Sequence, residues 1–208
     1  MSNKASIIIT VIVALLAAGA VFFAYRMWTE GPGDGSFKPS EAMEVEANIA
    51  AQRLVKDNYA VFELFYLMAY DKNTHFQPEP YGLAPENGYY TLKDDVIEYE
   101  TVDSIFALVD GAFAAAAAEE IKTFSTRTEE GTPVYQANDD KIGVNATFEP
   151  MEDYEFVWDN VPIVVVFESE MKCVLSVTLT DSSGKEVTKQ TIMNKEDDGV
   201  WRLENILF

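Results

Sequence analysis

The run Ala5 to Tyr25, ASIIITVIVALLAAGAVFFAY, contains no charged residue and lies between Lys4 and Arg26. At about 1.5 Å rise per residue, a helix of that length reaches roughly 30 Å, the thickness of a bilayer's hydrocarbon core. The run predicts an N-terminal transmembrane helix, with residues 1–28 as a signal anchor. Tyr25 and Trp28 suit an interfacial aromatic belt, and the short head before the span makes an N-in orientation the economical one. Ala18-Gly19-Ala20 has the small-x-small form of a signal-peptide cleavage site, so a cleaved leader remains open. Apolar residues continuing through Val21, Phe22 and Phe23 favour the anchor. The expected placement is a single-pass protein of the cell membrane, with the remaining domain extracytoplasmic.

Charge divides the chain. Residues 1–26 carry only Lys4 and Arg26, whereas all 35 acidic residues lie beyond them, for a net charge of −20 over the full sequence. A domain that acidic is repelled by nucleic acid and anionic headgroups, which argues against a nucleic-acid partner and leaves cationic partners open. Cys173 is the only cysteine, so no intramolecular disulfide can form. A bacterial envelope setting fits that better than a disulfide-rich extracellular one.

Thr29 to Pro39, TEGPGDGSFKP, reads as a linker, and residues 40–208 as the folded domain. Ser40 is a candidate N-cap, with Glu41 and Glu44 in the first turn where the helix dipole favours anions. The helical pattern runs to about Tyr70, with Val55, Tyr59, Phe62, Tyr66 and Ala69 as a stripe expected in the core. A loop carries His75, the only histidine, and Glu86–Thr91 leads through a turn into a strand. Thr101–Phe124 is helical with a bend expected at Asp110-Gly111. Asn138-Asp139-Asp140 joins Pro133–Ala137 to a strand with Ile142, Val144, Ala146 and Phe148 on one face. Val161–Phe167 is nearly all apolar, the mark of a central strand covered on both faces. Alternation then gives strands over Met171–Thr180, with Cys173 facing the core, over Lys185–Met193, and over Val200–Phe208 as part of the sheet.

The chemistry of catalysis is sparse. There is no Gly-rich phosphate loop, serine-nucleophile elbow or paired His/Cys metal spacing, so no catalytic residue, cofactor or metal is expected. The sequon Asn145-Ala146-Thr147 matters only where glycosylation operates. Met151 to Asp159, MEDYEFVWD, differs in character. It concentrates four carboxylates, Glu152, Asp153, Glu155 and Asp159, with Tyr154, Phe156 and Trp158, which share one face if the segment is extended. Carboxylates beside rigid aromatics make a reasonable protein-recognition surface, so Glu152, Asp153, Tyr154, Glu155, Trp158 and Asp159 are the candidate partner-binding residues. The alternative is a strand whose aromatics simply pack inward.

Helices followed by a curved antiparallel sheet ending in Asp198-Gly199-Val200-Trp201-Arg202-Leu203 resemble the cystatin/NTF2-like α+β layout. The succession Glu63–Leu67, Glu86–Leu92, the helix before Gly111-Ala112-Phe113, Val134–Phe148 and the Trp201 strand resembles the IseA-type inhibitors of bacterial cell-wall DL-endopeptidases. The resemblance covers roughly two-thirds of the chain. It implies a non-enzymatic protein that blocks the catalytic cleft of a peptidoglycan hydrolase, and it transfers no inhibitory residue to a position in this sequence. The expected fold is therefore α+β, a transmembrane helix and then helices packed on one curved sheet. The expected function is a membrane-tethered inhibitor or regulator of a cell-wall hydrolase, with a non-catalytic small-ligand module of the NTF2-like kind as the alternative.

Overall fold

Ser40 starts the first helix: its hydroxyl accepts from the Met43 amide at 3.3 Å, satisfying one of the donors that a helix N-terminus leaves unpaired. The structure is a computed structural model that describes residues 37–67, 76–77 (backbone only), 87–92, 99–151 and 154–208. Helix α1, Glu41–Phe62, buries Ala47, Ala51, Leu54, Val55, Asn58, Val61 and Phe62, one stripe at helical spacing. It continues into a π-helical turn, Glu63–Leu67. Widening the turn breaks the regular ladder, and the Tyr135 hydroxyl donates to the Leu64 carbonyl at 2.7 Å. The expected extension to Tyr70 falls outside the described residues.

Among the described residues, eight strands form two antiparallel sheets. The first has β1 (Phe76–Gln77), β2 (Tyr89–Leu92), β3 (Tyr135–Asn138) and β4 (Lys141–Asn145) in the order β1-β2-β4-β3. The second has β5 (Ile163–Ser169), β6 (Lys172–Thr180), β7 (Glu186–Lys195) and β8 (Trp201–Leu203) in sequential order. This corrects the expectation of a single curved sheet. The reason lies at Asn145, whose side-chain oxygen accepts from the Thr147 amide and hydroxyl at 2.9 and 2.8 Å and folds the chain away from the ladder. The segment that follows ties back to α1, the Met151 amide donating to the Tyr66 carbonyl at 2.8 Å, before the chain enters β5.

The second sheet corrects a further expectation. Its strand β5 is an edge, paired only with β6 among the described residues. Val164 and Val166 are 56% and 46% exposed, so the outer face of the strand is not covered as its composition suggests, while Ile163, Val165 and Phe167 pack half-buried against the core. Cys173, Leu175, Val177 and Leu179 of β6 are fully buried, as alternation predicts. Strand β8 ends at Leu203; the Glu204 amide still donates to the Ile192 carbonyl of β7 at 2.9 Å, and the chain beyond it docks on α1. There the buried Asn58 amide donates to the Leu207 carbonyl at 3.0 Å and accepts from the Leu207 amide at 2.8 Å.

Helix α2 (Val102–Ala112) starts with a capping box between Thr101 and Ser104, and α3 (Ala115–Thr123) follows. The break comes at Phe113, not at Asp110-Gly111. Phe113 is extended because it bridges Leu203 in parallel, and the Ala114 amide donates to the Leu203 carbonyl at 2.8 Å. Gly111 stays helical, and its carbonyl accepts from Arg53 at 3.1 Å. Arg53 also donates to the Trp201 carbonyl at 2.9 Å, and Glu46 of α1 pairs with Lys195 while accepting from the Trp201 indole at 3.3 Å. Thus α1 is held at three levels along its length, by Glu46 to Lys195 of β7 and Trp201 of β8, by Arg53 to Trp201, and by Asn58 to Leu207 beyond β8, and Pro39–Phe208 make one compact unit.

Among the described residues, no helix is long and apolar enough to cross a membrane. Helix α1 has 22 residues but carries Glu41, Glu44, Glu46, Arg53, Lys56 and Asp57, and each charge at bilayer depth costs on the order of 3 kcal/mol. This corrects the expected transmembrane architecture and the single-pass, extracytoplasmic placement drawn from it. The run Ala5 to Tyr25 and the proposed anchor of residues 1–28 lie outside the described residues.

Candidate functional site

The aromatic segment after Asp153 lies across α1 in a nearly extended course. Tyr154, Phe156 and Trp158 are half-buried, while Glu155, Val157 and Asp159 are exposed, so the side chains alternate. Val157 holds the course by bridging Thr180 of β6, its amide donating to the Thr180 carbonyl at 3.0 Å. The Trp158 ring stacks on Tyr59 of α1 at 5.5 Å between centroids and an interplanar angle of 25°. Its indole N–H donates to the Tyr154 hydroxyl at 2.6 Å. Tyr154 in turn meets Phe62 at 4.7 Å. Such offset pairs are worth about 0.5–1.5 kcal/mol each beyond their burial.

These contacts wall a cleft of about 720 Å³ between α1 and the chain leading into β5. Gln52, Lys56 and Tyr59 contribute from the helix; Trp158, Asp159 and Ile163 face them. The cleft opens to solvent, with an ammonium and a carboxylate on its rim and an aromatic pair as its wall. The periodicity of α1 expects Tyr59 and Tyr66 in the core, but both are half-buried cleft residues. Burial pushes the Tyr59 hydroxyl above its ordinary range, with Glu63 and Asp159 nearby adding to it. Burial also raises Tyr154, against the opposing hydrogen bond from Trp158. Both are neutral phenols at physiological pH, suited to donating and accepting hydrogen bonds rather than to proton abstraction.

A second, smaller cleft of about 280 Å³ is lined by Tyr66, Glu120, Phe124, Thr126, Ile206 and Phe208, among others. Phe62 stacks on both Tyr66 and Phe208, at 5.4 and 5.7 Å, so one aromatic cluster connects the walls of the two clefts. Phe124 and Phe208 are 50% and 44% exposed.

Of the expected partner-binding residues, Tyr154, Trp158 and Asp159 come together at the first cleft or its supporting wall. Glu155 points away and accepts from the Ser182 hydroxyl at 2.9 Å. Glu152 and Asp153 lie outside the described residues, as does His75. Sequence periodicity missed Gln52 and Lys56, since polar residues on an exposed helix face carry no signal of what they stand opposite.

The remaining chemical groups are structural. Cys173 is fully buried, and desolvation, with Glu168 nearby, pushes its thiol up to about 11, far from a reactive thiolate. Asn145 of the sequon is buried, its amide donating to the Thr132 hydroxyl at 2.7 Å. Among the described residues no three histidine, cysteine or acidic side chains converge so as to hold a metal ion. No protein-family model matches the chain, and no curated protein matches it.

Proposed function

We propose that residues 39–208 form a non-catalytic protein-recognition domain whose partner is a peptidoglycan hydrolase of the DL-endopeptidase type. The observation that carries the recognition reading is the Trp158–Tyr59 pair at the open, charged-rimmed cleft. Tryptophan and tyrosine at the centre of a patch with a polar rim are what interface energetics rest on. The class of partner comes from the resemblance of the chain's successive patterns to the IseA-type inhibitors. In the proposed complex, a loop of the hydrolase packs on the indole face, and the acidic surface selects a cationic rim.

Adding the full chain to a purified DL-endopeptidase should slow its digestion of peptidoglycan. No slowing at high molar excess sinks the inhibitor reading. Trp158→Ala should weaken the inhibition by at least about tenfold, as expected of an anchor residue, whereas Gln190→Ala on the far face of the second sheet should leave it unchanged.

The volume of the cleft also falls within the range of small-molecule sites, which favours a ligand-binding module as the second reading. Trp158 fluorescence separates the two. Under the ligand reading it shifts with a small molecule from extract that passes a dialysis membrane; under the recognition reading it shifts only with protein.

A further inference from the structure

The smaller cleft gathers aromatic rings and a carboxylate from separate parts of the chain. Ala117, Glu120, Ile121 and Phe124 fall at helical spacing along α3 and its C-cap, so one face of that helix lines it. Phe208 comes from the end of the chain, and Tyr66 from the π-helical turn Glu63–Leu67, an interruption of the kind frequent at functional sites. These two rings stack at 5.6 Å between centroids with 22° between their planes. Phe124 is held at the cleft by Gly131: the ring occupies the space that a side chain at position 131 would fill. Phe124 and Phe208 both remain exposed there.

The electrostatics of the cleft have one sign. Ring faces are electron-rich. The Glu120 carboxylate is near enough to the Tyr66 hydroxyl to add to the effect of burial in raising it above the ordinary phenol range, so Tyr66 stays an uncharged ring. The C-terminal end of α3, the negative end of its dipole, also lies at the cleft. Lys122, the basic residue of that last turn, is turned to Asp110 at 2.7 Å instead. Among the described residues, Glu120 is the one charged group of the lining. A small hydrated ion entering among Ile121, Ile206 and the rings would lose water without replacement. A methylated ammonium loses far less, because it presents methyl groups to ring faces while keeping its charge. The volume of about 280 Å³ lies at the lower end of ligand pockets and suits a headgroup of that size.

We propose that the smaller cleft binds the methylated ammonium group of a small organic cation, its methyl groups against Tyr66, Phe124 and Phe208 and its charge beside Glu120. Aromatic faces with a nearby carboxylate are the general solution for such cations. The inference does not rest on the hydrolase reading, whose cleft is walled by Trp158 and Tyr59.

Calorimetric titration of the full chain with choline tests it, against the neutral carbon isostere of choline that has a tert-butyl group in place of trimethylammonium. Choline should bind saturably and at least about tenfold more tightly than the isostere. Equal affinities, or no saturable binding of choline, would overturn the proposal. Phe124→Leu keeps apolar bulk but removes the ring face, and should weaken choline binding by at least about fivefold, whereas Phe124→Tyr should retain it. Glu120→Gln should weaken choline and leave the isostere unchanged, with circular dichroism confirming the fold of each variant. Choline binding undiminished in both Phe124→Leu and Glu120→Gln would place the cation elsewhere, the larger cleft included, and would equally overturn it.

Discussion

Asn58 makes both hydrogen bonds that a buried peptide unit can offer, giving and receiving one each at Leu207. Its replacement by alanine leaves a buried N–H and a buried C=O without partners, each costing about 1–3 kcal/mol. Asn58→Ala should therefore lower the unfolding free energy by roughly 2–4 kcal/mol in urea titration, with the midpoint moving and the slope unchanged. Gly131 is constrained differently. It has φ of +66°, and a Cβ there would strike the Phe124 ring. Gly131→Ala should cost about 1–2 kcal/mol from the backbone alone, and swing Phe124 out of the smaller cleft. The tyrosines set the alkaline limit. Burial raises Tyr59, Tyr66 and Tyr154 above the ordinary phenol value of 10.0, so the folded chain keeps protons that the unfolded chain releases. The contribution of these tyrosines to stability is then flat below pH 10 and falls as pH rises through it. Phenolate absorbance and circular dichroism should change together in that range, and Tyr154→Phe should make the fall shallower.

At the scale of elements, α3 begins without a side-chain cap, because Ala114 occupies the N-cap position. Ala114→Ser keeps the amide bond to Leu203 and supplies the missing acceptor, so the thermal midpoint should rise, by a free energy of about 0.5–1 kcal/mol. Elements whose determinants are local were legible in the residues. Ser40 and the first-turn acids mark the start of α1, the Asn138–Asp140 turn marks the β3–β4 hairpin, and alternation marks β6 with Cys173 inward. Elements decided by distant partners were not. Gly111 looks like a helix breaker, yet the Arg53 guanidinium satisfies its carbonyl while Leu203 pulls Phe113 into an extended bridge. Asn145 ends the first sheet through a side-chain bond to Thr147 that has no hydrophobic signature. The apolar run of β5 suggests cover on both faces, and the exposure of Val164 and Val166 was not legible in it. Likewise the alternation of Tyr154, Phe156 and Trp158 could be read, whereas the stacking of Trp158 on Tyr59 depends on α1 lying beneath them.

For the molecule as a whole, the net charge of −20 sets how the proposed contact at the aromatic cleft responds to salt. A cationic partner at the aromatic cleft is held by the same charge and released by salt. Raising ionic strength should therefore weaken hydrolase inhibition, as the Debye length falls from about 10 Å at 0.1 M to about 3 Å at 1 M; inhibition that does not change with salt would show a contact not held by charge. The clasp between α1 and the chain near Leu207 also bears on timing. Glu46, Arg53 and Asn58 find their partners at Lys195, Trp201 and Leu207, nearly the whole domain later in the sequence. A ribosome makes α1 first and must add about 150 residues before the last of these sites emerges, at roughly 5–20 residues each second. For that interval, some seconds to half a minute, the apolar stripe of the helix waits without the surface meant to cover it. The covering of that stripe is thus complete only once Leu207 has been made.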